Sequence, residues 1–283
     1  MTAAHKDTYF DHDRVLVIEP ARGWQMLDWR ELWAYRELLW VLTARDVRVR
    51  YKQTVLGAAW AIIRPFVTMV IFSVVFGQLA KMPSDGFPYP VFVYAGLLPW
   101  IFFSNAITTS GQSLLGSGHL VSKVYFPRLI IPLASAGAGL VDLLISTGIL
   151  LLMMLWYGVG WSWSLLAAPL LLIALVFTAV GIGTLLSALT VAYRDVAHLT
   201  PFLVQVWMYV TPVIFPVSLV PPKWQWLLYL NPMTGLVEGF RAAFLGKAFD
   251  AIGLGTSVAV SLFIFILAVA YFEKVERRFA DIL

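Results

Sequence analysis

The chain has no cysteine, which rules out disulfides, thiolate metal sites and thiol nucleophiles. Charge is scarce as well: 13% of the residues are Asp, Glu, Lys or Arg, about half the share of a soluble domain. Histidine is limited to His5, His12, His119 and His198, which are scattered and never paired at metal-ligand helical spacing. No phosphate-binding loop is present. Gly246-Lys247 is followed by Ala248 and lacks the upstream glycine, so no nucleotide is expected to be held that way. A Gly-x-Ser-x-Gly nucleophile elbow is also missing. The polar start, M-T-A-A-H-K-D-T-Y-F, has none of the features of a cleaved leader. The net charge of +4 comes from basic residues beside apolar runs rather than from a basic domain, so nucleic acid is not an expected partner.

What is present is apolar. Of the 283 residues, 60% are hydrophobic and the mean hydropathy is +0.81, the signature of a polytopic, all-α membrane protein. The organising stretch runs from Arg48 to Phe76, where Arg48, Arg50 and Lys52 give way at once to an apolar run. Lys and Arg beside a span stay on the cytoplasmic side, so this switch fixes the direction of the first crossing. Apolar runs predict six spans, at Val55–Leu79, Val91–Leu115, Leu129–Trp156, Leu165–Val191, Thr200–Leu219 and Ile252–Phe272. Lys123, Arg128, Arg194, Lys274, Arg277 and Arg278 fall on the same side as the first basic cluster. Both termini are therefore expected in the cytoplasm. Before the first span, Trp29, Leu32, Trp33, Leu39 and Trp40 form the apolar face of an expected interfacial helix, with Arg36 snorkelling and Asp28 and Glu31 suited to a capping box. The division expected is 1–54, a cytoplasmic tail with this helix, and 55–283, the membrane domain with a short cytoplasmic C-terminal tail. The stretch Pro221–Ala251 mixes turn residues, aromatics and apolar pieces too short to cross, and predicts a re-entrant helical hairpin on the outer side.

Polar groups inside spans are costly and therefore informative. Asp142 in the third span suits either a bond to a neighbouring helix hydroxyl or a substrate role. Arg64 either snorkels to the surface or stands at a pore entrance. The second span breaks its apolar run with Pro99, Ser104, Asn105, Thr108, Thr109, Ser110, Gln112 and Ser113, a polar stripe that must face protein or water. Aromatics are spread over spans one, two and five, among them Trp60, Phe66, Phe72, Phe76, Tyr94, Trp100, Phe102, Phe103, Trp207 and Tyr209. Flat rings stack on the apolar faces of sugars, so they suit a glycan track. They suit equally well the filling of a helix bundle. Two cytoplasmic turns, His119–Arg128 and Tyr193–His198, are short and amphiphilic and suit either docking of a soluble subunit or plain connection.

Five segments, in order, carry a resemblance: R-Y-K-Q-T-V-L-G-A-A-W…R-P at Arg50–Pro65, V-S-K-V-Y-F-P-R at Val121–Arg128, V-D-L-L-I-S at Val141–Ser146, A-Y-R-D-V at Ala192–Val196 and N-P-M-T-G-L-V-E-G-F-R at Asn231–Arg241. The chain resembles the permease subunits of ABC-2 type polysaccharide exporters, which carry O-antigen, capsule and teichoic acid. The resemblance implies a non-enzymatic permease in the bacterial inner membrane. It implies a homodimer working with two separate ATPase subunits, so that ATP and Mg belong to the partner and this chain holds no cofactor and no metal. It further implies a lipid-linked polysaccharide as cargo. By position, Trp33, Arg36, Lys123, Tyr125, Phe126, Arg128, Tyr193, Arg194 and Asp195 couple to the ATPase, and Arg48, Arg50, Lys52 and Arg64 meet the substrate headgroup. Trp60, Phe72, Phe76, Phe102, Phe103, Trp207 and Tyr209 line the glycan channel. Trp224, Asn231, Glu238 and Arg241 form an external gate, with Glu238 and Arg241 as an ion pair. The alternatives are an ABC-2 exporter of another lipid or of a drug, a proton-coupled secondary transporter depending on Asp142, and a membrane-embedded transferase.

Overall fold

The computed structural model describes residues 29–52 and 59–282. Asp28 of the expected capping box, the expected start of span one at Val55 and the expected 54/55 boundary lie outside the described residues. The described residues form helices and connections, without strands. In chain order the helices are α1 (Trp29–Ala34), α2 (Arg36–Lys52), α3 (Ala59–Phe72, continuing as a π-helix over Ser73–Leu79) and α4 (Tyr89–Gly116). They continue with α5 (Gly118–Lys123), α6 (Ile130–Trp156), α7 (Ala168–Ala192, preceded by a 3-10 turn over Trp163–Ala167) and α8 (Asp195–Val210). The last are α9 (Pro222–Tyr229), α10 (Pro232–Leu245) and α11 (Ala251–Ile282).

Among the described residues, five segments are long and apolar enough to cross a membrane: Ala59–Leu79, Tyr89–Gly116, Ile130–Trp156, Trp163–Ala192 and Ala251–Glu276. The expected fifth span, Thr200–Leu219, is different. Its helix, α8, has 16 residues and stops at Val210. The cause is local: Thr211 precedes Pro212, and a residue before proline is driven out of the helical region. Thr211 is accordingly extended, with φ −89° and ψ 138°. Helix α11 runs on beyond Phe272, the expected end of the sixth span, to Ile282. No glycine or proline follows Phe272, so nothing in the sequence stops the helix there.

The core is organised around α4, of which 78% is buried in its apolar window, against 17% for Ala59–Leu79. Helices α6, α7, α8, α10 and α3 all pack on α4, and α11 closes over α7 and α10. Hydrophobicity alone does not drive helices together in lipid, so close approach and short polar bridges do that work. Gly235 shows the first: a Cβ there would lie 2.5 Å from the Gly253 carbonyl oxygen. Ser110 of α4 donates to the Pro132 carbonyl of α6 at 2.8 Å, and Thr178 of α7 bonds Ser261 of α11 at 2.8 Å. The polar stripe of α4 is settled largely within its own helix. Thr108, Thr109 and Ser113 donate to carbonyls three or four residues back, and Gln112 donates to Ala197.

Candidate functional site

At one end of the bundle, α1 and α2 lie on it through Leu32, Tyr35, Leu38, Leu39 and Leu42, which pack with Val121, Phe126, Leu129 and Phe272. Trp33 and Trp40 point away and are exposed. The expected single apolar face is thus split in two: Leu32 and Leu39 pack inward, while Trp33 and Trp40 face out. Arg36 turns back to donate to the Trp33 carbonyl at 3.1 Å and lies 5.5 Å from the Trp33 ring centre. The expected coupling residues divide the same way. Phe126 is buried, and the Arg128 guanidinium donates to the Glu276 carbonyl in α11 while its backbone N–H donates to the Glu276 carboxylate at 3.2 Å. Lys123, Tyr193, Arg194 and Asp195 are exposed, and Tyr125 is 67% exposed. The turn therefore has a fixed root, Phe126 and Arg128, and a free tip at Tyr125.

The four expected headgroup cations are not brought together. Arg50 of α2 donates to the Asp142 carboxylate of α6 at 2.5 Å, with side-chain exposures of 30% and 21%. The Tyr51 hydroxyl donates to the other Asp142 oxygen. Asp142 therefore bonds a hydroxyl of a neighbouring helix, one of the two alternatives expected, and a guanidinium besides. Nearby, Ser135 bonds Asp46 at 3.4 Å, and a Cβ on Gly137 would touch the Thr43 methyl at 3.3 Å. Residues 39, 43, 46 and 50 fall on one side of α2, and the last three of them meet α6. Arg48 and Lys52 are exposed on the other side, on an open groove of about 410 Å³ lined by Val41, Arg45, Arg48, Val49 and Lys52. Arg64 is exposed on α3, 5.6 Å from the Trp60 ring centre.

The expected channel aromatics also separate. Phe102 and Phe103 are buried; Phe103 stands edge-on to Trp207 at 5.2 Å, and Trp100 to Trp207 at 6.5 Å. Phe103, Trp100 and Trp207 fill the space between α4 and α8, and the Phe102 ring lies against Gly139 of α6, so Phe102 and Phe103 present no free face to a sugar. Phe72 and Phe76 form an edge-on pair at 5.6 Å and are half-buried. Trp60 and Tyr209 are exposed.

On the opposite side, where α10 begins and ends, the expected gate residues have distinct places. Trp224 is exposed on α9. Asn231 caps α10 by accepting from the Met233 N–H at 3.0 Å. It also accepts from Trp207 Nε1 at 3.0 Å and donates to Thr211 at 2.9 Å. Glu238 and Arg241 do form an ion pair, at 2.8 Å, but Arg241 is 0% exposed. Its guanidinium donates to the carbonyls of Pro212 (2.7 Å), Val213 (2.5 Å), Phe215 (3.3 Å) and Phe92 (3.3 Å), and it lies 3.8 Å from the Phe92 ring centre. The broken backbone after α8 leaves carbonyls that no helix satisfies, and Arg241 satisfies them. Gly96 makes the room: a Cβ there would lie 2.7 Å from Arg241 Nη2.

Further out, Lys247 bonds Asp85 at 2.5 Å and lies 3.6 Å from Glu238, and Ser218 donates to Asp85 at 2.8 Å. Burial pulls the Asp85 carboxyl upward, but the hydrogen bonds from Lys247 and Ser218 and the nearby positive charge outweigh it. They hold that carboxyl below its ordinary range. Sequence reading missed Tyr51, Gly96, Asp85 and Lys247. Their partners are remote in the chain, and only the prolines at 212 and 216 signalled that buried carbonyls would need a donor.

The chain matches the family model described as ABC-2 type transporter over residues 37–245. It is 30% identical over 256 residues to the O-antigen export system permease protein RfbA of Myxococcus xanthus, covering 89% of this chain and 97% of that protein. The inner membrane transport permease YadH of Escherichia coli K12 is 29% identical over 220 residues, covering 73% and 83%. The polysialic acid transport protein KpsM of Escherichia coli is 25% identical over 250 residues, covering 83% and 92%.

Proposed function

Because the chain belongs to the ABC-2 type transporter family, we propose that it is the permease subunit of an exporter that moves a lipid-linked polysaccharide across the bacterial cytoplasmic membrane, driven by ATP hydrolysis on a separate partner. The observation that carries this reading is the end-to-end similarity to an O-antigen export permease, spanning 97% of that protein. In this reading the chain crosses six times, with α8 and the buried turn after it as the fifth crossing, and both termini are cytoplasmic. The distribution of Lys and Arg supports that orientation. Helices α9 and α10 form the re-entrant hairpin on the outer side.

Two chains pair about a two-fold axis, with two ATPase subunits beneath them. The uncovered apolar faces of α3 (Ile62, Phe66, Val70) and α8 (Phe202, Val206, Tyr209) support a second copy beside them. The aromatics still available to a sugar are Trp60, Phe72, Phe76 and Tyr209. The tip at Tyr125, with Lys123, Tyr193, Arg194 and Asp195, is the docking surface for the ATPase. Trp33 and Arg36 flank it.

The test is reconstitution into vesicles with a partner ATPase and a lipid-linked glycan. ATP-dependent delivery of glycan to the far side is expected, with none when either protein is omitted. Tyr125→Ala is expected to retain ATP hydrolysis and lose export. Export by the permease alone overturns the reading.

A further inference from the structure

We propose that Glu276 of α11 is a positioning residue: it clasps the root of the turn 119–128, so that the Tyr125 tip and α11 move as one piece. Its bearing on transport rests on the docking role given to Tyr125 in the exporter reading. The clasp itself does not.

The turn takes a partner from outside because its own sequence provides none at this point. Val124 is extended, with φ −129° and ψ 134°, and Pro127 has no N–H to give. Leu129, at the N-cap position of α6, carries no side-chain oxygen, so the chain entering that helix is not capped from within. The acceptors come from a residue 148 positions away. The Arg128 N–H donates to the Glu276 carboxylate at 3.2 Å, and the Arg128 guanidinium donates to the Glu276 carbonyl. One residue of α11 thus takes a backbone donor and a side-chain donor of Arg128. Around the clasp, Phe126, Leu129 and Phe272 are buried in one cluster, with Val275 packed against it. Apolar packing has no direction of its own. The two hydrogen bonds supply one and fix the angle at which the turn leaves the bundle.

Freedom changes sharply over three residues. Phe126 is 4% exposed, Tyr125 67% and Val124 53%. A tip this open on a root this closed passes a push on Tyr125 to Glu276 instead of absorbing it. The charge of Glu31, then burial and the charge of Glu276, push the Tyr125 phenol above its ordinary value, in keeping with both acids lying near the tip. Helix α11 carries the push onward. It is unbroken from Ala251 to Ile282, and Ser257 lies about 28 Å along it from Glu276, at 1.5 Å per residue. Ser257 accepts from the Gly235 N–H of α10 at 2.9 Å and donates to the Asn231 carbonyl at 3.3 Å. One part of α11 therefore grips the Tyr125 turn, and the other grips the start of α10.

The chain has no cysteine, so a spin label introduced by Val124→Cys reports this turn alone. On the full-length permease in detergent the label is expected to be restrained, and a second label from Lys274→Cys to give one narrow distance by dipolar EPR. That measurement needs no change at Glu276, and a broad distribution overturns the clasp. Glu276→Ala is expected to raise the mobile fraction of the Val124→Cys label by about tenfold, the weight of one hydrogen bond to a charged group. Glu276→Gln keeps an oxygen for the Arg128 N–H and is expected to keep the turn restrained. Equal mobility in wild type, Glu276→Ala and Glu276→Gln overturns the positioning role. In vesicles with a partner ATPase and a lipid-linked glycan, Glu276→Ala is expected to hydrolyse ATP as wild type does and to export several-fold less glycan per ATP, with Glu276→Gln close to wild type. Unchanged export per ATP in Glu276→Ala overturns the coupling through α11. Wild type that exports nothing overturns the exporter reading instead, and the spin labels still decide the clasp.

Discussion

Two arginines in this molecule each meet a carboxylate, and their surroundings could hardly differ more. Arg241 is fully enclosed and gives most of its hydrogen bonds to backbone carbonyls, with Glu238 as only one of several partners. Arg50 is 30% exposed and meets a single acid, Asp142, on another helix. The first arginine substitutes for helical hydrogen bonds where the chain breaks inside the bundle. The second joins two helices at one end of the bundle and leaves one of them free on its far side. An identical pairing of residue types thus serves as filling in one place and as a joint in the other. Burial and the number of partners separate the two roles.

Removing the filled arginine has the largest expected effect. Arg241→Leu takes the buried guanidinium from Glu238 and leaves several buried carbonyls without a donor, and breaking a buried pair this way costs about 3–5 kcal/mol. The protein is expected not to accumulate in membranes, or to unfold well below wild type in a thermal melt. Arg241→Lys is not expected to rescue it, because an ammonium cannot reach carbonyls spread around a planar fork. Wild-type accumulation of Arg241→Leu would erase the contrast with Arg50. The next largest effect is Gly96→Ala. The added methyl presses on Arg241 Nη2, and overpacking of this kind costs about 1–3 kcal/mol. A melt of Gly96→Ala reports it directly.

The joint gives less. Asp142→Asn and Arg50→Gln are each expected to destabilise by about 1–3 kcal/mol, the penalty for leaving a hydrogen-bonded charge unmet. The double variant is expected to cost less than the sum, since each single change strands the other partner. A thermal double-mutant cycle measures the coupling, and strict additivity would mean that the two residues do not act as a pair. This pairing also bears on the proton-coupled alternative. The aspartate on which that alternative rests joins two helices through a guanidinium and a phenol, so it has a structural role of its own.

Much of the helical plan was legible because the bilayer imposes a length. The runs that became α4, α6 and α7 are long, apolar and free of internal breaks strong enough to stop them, and their ends were foreseen to within a few residues. The fifth span was overextended because apolarity continues through Val213, Ile214 and Phe215 while Pro212 and Pro216 break the helix. Hydropathy and backbone chemistry disagreed there, and the backbone prevailed. The apolar face of α1 and α2 misled for another reason: near a membrane both the bundle and the lipid accept apolar side chains, so Leu32 and Trp33 were read together although they part. The Glu238–Arg241 pair was legible from its spacing, but the carbonyls around Arg241 were not. Asp142 and Arg50 are 92 positions apart, and no periodicity links them.

The smallest expected effect lies at the outer loop, where Lys247 joins Asp85 with both side chains 22% exposed. A pair this accessible contributes no more than about 1 kcal/mol and weakens with salt. Lys247→Gln is therefore expected to shift the melt slightly at low ionic strength and not at all in high salt. The pH dependence has a definite sign. The Asp85 carboxyl titrates below its ordinary value of 3.8 in the folded protein. Its contribution is thus complete above the unfolded value and is lost as the pH falls through the lowered one. The difference in stability between wild type and Asp85→Asn is expected to be constant near neutrality and to vanish in acid. A difference that instead grew as the pH fell would mean that Asp85 repels a neighbour, which would make this loop a strained contact where Arg241 is a satisfied one.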